Sequence, residues 1–367
     1  MYQATAIEVI FCLIVWLIAI FIYLPSIKCT GKGLCSKYPS SKIDSLLLLS
    51  LITLYSVFEF AGGDFYHYKE FYDLGHSKGA DDGLDPIYLW LIDIIPNNFY
   101  LWRLIIWGSA AYIWLRIIKR LNYSVRLAGC MFFLVVFYLF VGARQALAFS
   151  LLYYGLTIFL TSYKTIDKVV GFLIFLLSYY FHSTMIVYMI LSLLALLPFS
   201  KKYFIFSILL FPFIYEFFGG VIDNFVSQLS LFNKDSSDTI MRYLESDFRV
   251  TYNLKGLIRL CLDRLPIFLL LIVSIKDVYW KKLQMQTIYK YFLQMSYILI
   301  YISYLFVGRE VSAFIAPRFW DAALFPLTLF LAGYLPHTKS KRLIFTAVLF
   351  LILSKLFTFF LVFNKSI

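Results

Sequence analysis

The sequence predicts an all-α polytopic membrane protein of about twelve (ten to twelve) transmembrane helices, and three observations predict it. Its 367 residues are 62% hydrophobic and 15% charged, with a mean hydropathy of +0.80, whereas a soluble domain is roughly half apolar and about a quarter charged. The apolar residues fall in long uncharged runs, many near the ~20 residues that cross a bilayer core. Basic residues alternate in density from one inter-run loop to the next. A water-soluble fold and a disordered chain, which would be poor in apolar and aromatic residues, are both excluded. The expectation is a single integral membrane domain over residues 1–367.

Taken in order, the expected spans are 5–25, 43–60, 99–119, 125–141, 143–162, 167–181, 183–198, 203–219, 258–275, 287–306, 318–335 and 342–363. No basic stretch precedes the first run, which is long enough to span and so reads as a transmembrane helix rather than a cleaved signal. Runs 125–141, 167–181 and 183–198 are short for a full crossing, which suggests tilted, broken or re-entrant elements buried in protein. The segment 86–95 is shorter still and is expected in the interface, with Asp85 as N-cap and Pro86 in the first helical position.

Charge orients the chain. On strict alternation one set of loops carries nineteen Lys and Arg and only Asp44, Asp167 and Asp277 as acids, while the opposite set carries thirteen basic and eighteen acidic residues. The first set is therefore expected in the cytoplasm, with both termini outside. The net charge of +12 reads as topology rather than nucleic-acid binding. The five cysteines (Cys12, Cys29, Cys35, Cys130, Cys261) form no disulfide or zinc pattern and read as reduced structural thiols.

Residue type adds a second asymmetry. Of the thirteen outer basic residues eight are Arg (Arg103, Arg144, Arg242, Arg249, Arg259, Arg264, Arg309 and Arg318), against four of the nineteen inner ones. Topology alone does not require Arg, whose planar fork binds carboxylate and phosphate bidentately. Two readings stay open: an anion site, or internal pairs such as Arg259 with Asp263 and Arg318 with Asp321 on shared helix faces. The outer loops 61–98 and 220–257 are aromatic and acidic and are expected to cap an outward cavity. The inner loops are short and no GxxxxGK[ST] or GxGxxG stretch occurs, so activated substrate must arrive through the membrane or from outside.

Individual residues sharpen this. Arg144 and Gln145 lie between two apolar runs at their outer ends. An Arg at a helix start opposes the helix dipole, so it either meets an anion or snorkels to headgroups. His182 occupies a similar junction, as a general base or as an interfacial histidine bonded to a backbone carbonyl. Asp64 follows Gly62-Gly63 and, with Tyr68 and Tyr72, forms an acid-plus-aromatic patch suited to sugars; a solvated loop acid is the alternative. Neither Ser-His-Asp nor HExxH spacing is present. The stretch Asp81-Asp82 with Asp85 is a weak candidate for a divalent ion.

These stretches together (Gly63-Asp64 with Tyr68, Asp85-Pro86-Ile87-Tyr88, Arg144-Gln145-x-x-Ala148, Phe181-His182-x-Thr184) resemble the EpsG family, which is grouped with the Wzy-type bacterial polysaccharide polymerases of O-antigen, capsule or exopolysaccharide synthesis. The resemblance runs over roughly residues 50–200, and Arg318 in APRFWD is the one motif noted beyond. It implies a glycosyltransferase with a helical fold of the C type in the bacterial inner membrane. Donor and acceptor would be undecaprenyl-pyrophosphate-linked glycans, with membrane lipids, a chain-length regulator and other glycan-assembly proteins as partners. It further implies Arg144 and Arg318 on the pyrophosphate, His182 as base, Asp64 on sugar or as the alternative base, and Arg309, Arg249, Gln145 and Tyr68 in substrate binding. No cofactor and no metal are expected. A flippase for the same lipid-linked sugars would place charges at mid-membrane and show repeats. A membrane acyltransferase would need an inner route for its donor.

Overall fold

The computed structural model describes residues 6–30, 41–57, 69, 72–73, 86–95, 98–136, 143–232, 254–306, 312–338 and 340–366, and every regular element among them is helical. Helix α1 (Ala6–Tyr23) gives way to the short α2 (Pro25–Thr30) at Pro25, whose ring suits a first helical turn and not an interior. Helix α3 (Lys42–Val57) starts on a reciprocal cap: the Asp44 amide donates to Ser41 Oγ at 2.9 Å and the Ser41 amide to Asp44 Oδ2 at 3.4 Å. Helix α4 (Pro86–Ile94) is the expected short element, and its first residue is Pro86. Helix α5 (Phe99–Arg120) is capped by Asn98, which accepts from the Leu101 amide at 3.0 Å. It ends at Asn122, whose φ of 55° is a left-handed turn that Asn tolerates.

Helix α6 (Val125–Met131) runs on as a π turn over Phe132–Val136. It is the centre of the molecule, packed by α1, α3, α5 and helix 312–334, and of its residues only Arg126 is exposed. Trp16 of α1 donates its indole N–H to the Phe133 carbonyl inside the π turn, at 3.0 Å. Helices α7 (Ala143–Thr161) and α8 (Thr165–Phe181) form a tight hairpin. A Cβ on Gly155 would lie 2.5 Å from the Phe175 amide nitrogen and 2.6 Å from the Gly171 carbonyl, so only glycine permits this approach. After α9 (Met185–Leu194) come α10 (Lys201–Phe232), α11 (Leu254–Ile275) with a π turn at Lys276–Trp280, α12 (Thr287–Leu305), α13 (Ser312–Tyr334) and α14 (Lys341–Ser366). The pairs α12–α13 and α11–α14 pack closely, and buried apolar residues from α1 to α14 form one continuous cluster.

Each of the twelve expected spans coincides with a helix. The boundary at 219 needs correction, because α10 continues to Phe232 into what the sequence marked as outer loop. The apolar residues at 221, 222, 225, 226, 229 and 232 keep helical spacing beyond Gly219-Gly220. Two segments, Val9–Ile27 and Phe99–Arg120, are by themselves long and apolar enough to cross a membrane among the described residues. Others fall short for visible reasons. Ten-residue α9 is ~15 Å long, α7 opens with Arg144-Gln145, and α12 carries five tyrosines. The surface is nonetheless apolar over several helices: Leu173, Leu176 and Leu177 of α8, Ile186 and Ile190 of α9, Phe206, Leu209 and Phe213 of α10, and Phe345, Leu349 and Phe360 of α14 are exposed. An apolar surface of that extent is compatible with a helical membrane protein.

Contacts between helix ends sort the loops into two sets. At one end lie Asp44 with Arg126 (2.9 Å), Arg120 with Thr161 (2.9 Å) and Ser162, stacked Tyr123 and Tyr289, and Asp277 with Tyr334. At the other lie Arg103 with Ser56 and Val57, and Gln145 with His182. The first set belongs to the helix ends that adjoin the lysine-rich loops of the sequence and is called the lysine-rich end below; the second adjoins the arginine-bearing loops and is called the arginine end.

Candidate functional site

Four separate stretches meet at the arginine end. Helix α7 sets Arg144 and Gln145 in its first turn, where the small buried Ala146 and Ala148 let neighbouring helices close in. Helix α8, held to α7 by the glycine contact, ends at Phe181. His182 then adopts an extended backbone (φ −167°, ψ 116°), with its amide donating to the Tyr179 carbonyl at 3.1 Å and its carbonyl accepting from Met185 at 2.9 Å. The chain turns there into α9. The buried imidazole meets Gln145, with the two Nε2 atoms 3.0 Å apart. When the amide nitrogen donates, the imidazole Nε2 is the acceptor and the ring proton sits on Nδ1. The pairing of His182 with a side chain is common ground for both of its readings.

Tyr88 closes the corner. It is fully buried, its hydroxyl donates to the Arg144 carbonyl at 3.3 Å, and its ring centre is 6.0 Å from the Arg144 guanidinium carbon. Edge-on contacts join it to Trp102 (6.2 Å) and Phe181 (6.3 Å), so one ring ties α4 to α5, α7 and α8. Tyr88 was not among the residues singled out for a role. Its signal was its position in the Asp85-Pro86-Ile87-Tyr88 stretch.

The other candidates separate. Arg318 is exposed on α13, beside Tyr188 of α9 through the Phe319 ring (5.6 Å from Tyr188), and no hydrogen bond or ion pair among the described residues joins it to Arg144 or His182. Asp64, Tyr68, Arg249 and Arg309 lie outside the described residues, as do Asp81, Asp82 and Asp85.

Two of the eight outer arginines do structural work. Buried Arg103 donates to the last carbonyls of α3, Ser56 (2.6 Å) and Val57 (3.0 Å), a C-terminal cap that suits a cation. Arg264 lies 4.8 Å from the Trp320 ring centre and 5.7 Å from that of Tyr304. Among the described residues no three His, Cys, Asp or Glu side chains are grouped to hold a metal ion.

The family model described as the EpsG family matches residues 43–367. The chain belongs to the EpsG family. The match starts in α3 and takes in Tyr88, Arg144, Gln145 and His182, and it extends well beyond the 50–200 stretch of sequence resemblance. EpsG membership associates the chain with a polysaccharide-polymerase, glycosyltransferase-like role. No curated protein and no solved structure gives a significant match.

Proposed function

We propose that this EpsG-family protein joins undecaprenyl-pyrophosphate-linked repeat units at the outer face of the bacterial cytoplasmic membrane. It does so by glycosyl transfer with release of undecaprenyl pyrophosphate. The observation that carries the reading is the meeting of Tyr88, Arg144, Gln145 and His182 at one corner of the arginine end. In this reading the acceptor hydroxyl attacks C1 of the donor glycan and the C1–O bond to the pyrophosphate breaks. Arg144 lies against the departing pyrophosphate and stabilises its growing charge in the transition state. His182 takes the proton from the acceptor hydroxyl at Nε2, once that hydroxyl displaces the Gln145 amide from the same lone pair.

Arg318 and Arg309 supply further pyrophosphate contacts, Arg249 and Tyr68 contribute to substrate binding, and Asp64 binds sugar or serves as the alternative base. The chain then has about twelve crossings in a C-type glycosyltransferase-like arrangement, a single domain, and both termini outside. It works beside a chain-length regulator and other glycan-assembly proteins. Guanidinium groups supply the electrostatic work, so the proposed step uses no metal or other cofactor.

The test is reconstitution. Purified protein in liposomes, given lipid-linked repeat unit and no nucleotide, should build a ladder of longer glycans, and the ladder should survive EDTA. Repeat units that change leaflet without lengthening would replace the polymerase with a flippase. A ladder lost in EDTA and restored by Mg²⁺ would transfer the electrostatic role to the acidic stretch around Asp81.

A further inference from the structure

Helices α5 and α7 run side by side and bring a group of cations together at the lysine-rich end. Arg116 lies on the exposed face of α5, four residues and ~6 Å of helix rise before its end. The hydroxyl of Tyr154 on α7, and that of Tyr112 one turn back on α5, accept from its guanidinium. Beyond it Arg120 donates to Thr161 Oγ1 at 2.9 Å and to Ser162, so two arginines bridge the ends of α5 and α7. Exposed Lys164 follows two residues after Ser162, and exposed Lys168 stands in the first turn of α8.

These charges lack acids. Among the described residues no carboxylate pairs with Arg116, Lys119 or Arg120, whereas Arg126 on α6 has Asp44 at 2.9 Å. Asp167 is the one acid between 161 and 168, and it enters no ion pair either. Lys119 and Arg120 complement the negative end of the α5 dipole, an effect confined to the last turn. Arg116, a full turn deeper, gains little from it.

We infer that the seam between α5 and α7 binds the phosphodiester headgroup of an anionic phospholipid, with Arg116 as its main contact. The donor set suits a phosphate. A planar guanidinium presents its fork to two phosphate oxygens, and each phenol that accepts from Arg116 keeps its own proton to donate. The surface selects a lipid over a free anion. The exposed face of α5 that ends in Arg116 is apolar over the three turns before it, through Leu101, Leu104, Ile105 and the Tyr112 ring, and acyl chains lie along that track. Unneutralised cations at the level of the headgroups favour an anionic lipid over a zwitterionic one, whose own ammonium group they repel. A lipid held there ties the end of α5 to the end of α7.

The experiment uses the full-length protein in a neutral detergent, titrated with phosphatidylglycerol, with phosphatidylcholine of the same acyl chains, or with inorganic phosphate. Thermal melting and native mass spectrometry are the readouts. Phosphatidylglycerol should raise the melting temperature and remain as a bound adduct, while phosphatidylcholine and phosphate should do neither. Arg116→Gln, at an exposed position, should melt as the wild type does without lipid and bind phosphatidylglycerol about tenfold more weakly. Tyr112→Phe keeps the ring and removes one donor, and should bind about threefold more weakly. Lys202→Gln, which removes an exposed lysine of α10 at the same end, should bind as the wild type does. Equal stabilisation by phosphatidylcholine or by inorganic phosphate would overturn the inference. So would wild-type binding in both Arg116→Gln and Tyr112→Phe. Equal losses in Lys202→Gln and Arg116→Gln would replace the site with diffuse attraction to the whole end.

Discussion

The two ends of the molecule handle charge in opposite ways. At the lysine-rich end Asp277, just past α11, is buried and surrounded by donors. The Tyr334 and Thr338 hydroxyls reach Oδ2 at 2.6 and 2.9 Å, Ser340 reaches both oxygens at 3.2 Å, and Lys281 reaches Oδ1 at 2.7 Å. One carboxylate thus joins the end of α11, the end of α13 and the start of α14. At the arginine end Arg144 is only half-buried and lies against a ring, and His182 meets a neutral amide. A carboxylate satisfied on all sides has no capacity left for a ligand, and its contribution is to hold helices together. Under the proposed function the lysine-rich end holds the helices together and the arginine end binds and reacts.

Substitution at the arginine end offers the strongest test of that contrast. His182→Gln keeps a hydrogen-bonding side chain of similar size but offers no base, and turnover should fall by about a hundredfold to ten-thousandfold. Arg144→Lys keeps the charge without the planar fork and should cost about a hundredfold. Glycan ladder length per folded molecule is the measurement, with detergent-extract melting unchanged in both. If melting falls in step with the ladder, the arginine end is scaffold like the other and the contrast fails.

Asp277→Ala should show the inverse pattern. It strands the Tyr334 and Thr338 hydroxyls and leaves Lys281 without its partner, at a cost of about 3 kcal/mol of stability. Melting should drop while turnover per folded molecule holds. Acid sharpens the test. Burial pulls the Asp277 carboxyl up, but hydrogen bonds from Lys281, Tyr334 and Thr338 outweigh it and hold the group below the usual carboxylate range. A folded-state value below the unfolded one means stability fully present above the unfolded value, near pH 4, and lost as pH falls through the folded one. Wild-type melting should decline with acid over that window by more than the variant's does. Parallel declines would remove Asp277 from the account.

How far the sequence carried these assignments depends on the scale of the contact. The helices were readable because apolar runs of a given length have few alternatives in lipid. The extension of α10 to Phe232 was missed because Gly219-Gly220 reads as a break while the apolar spacing beyond it does not. The stretches holding Tyr88, Arg144 and His182 stood out individually. Their meeting depends on Gly155 lying against Gly171 across two helices, a contact that no local pattern encodes. Arg103 was counted among the outer arginines with an anion site and internal pairing both left open, because its residue type fits either use. Only the orphan carbonyls of α3 beside it decide for a cap.

The finest test sits between the two designs, at Tyr88, which is buried like Asp277 yet touches Arg144. Tyr88→Phe keeps the ring, and with it the edge contacts to Trp102 and Phe181 and the face beneath the guanidinium. It removes one hydroxyl whose bond to the Arg144 carbonyl, at 3.3 Å, is long for its kind. Such a bond contributes about 0.5–1 kcal/mol, so the loss should be a two- to fivefold fall in turnover with melting nearly unchanged. Tyr88→Leu fills much of the space but has no aromatic face, and the further loss it produces measures what the ring does for Arg144. If Phe and Leu slow turnover equally while both fold, the ring is packing alone and the hydroxyl positions α7. If Phe matches wild type and Leu does not, the cation–ring contact orients the guanidinium.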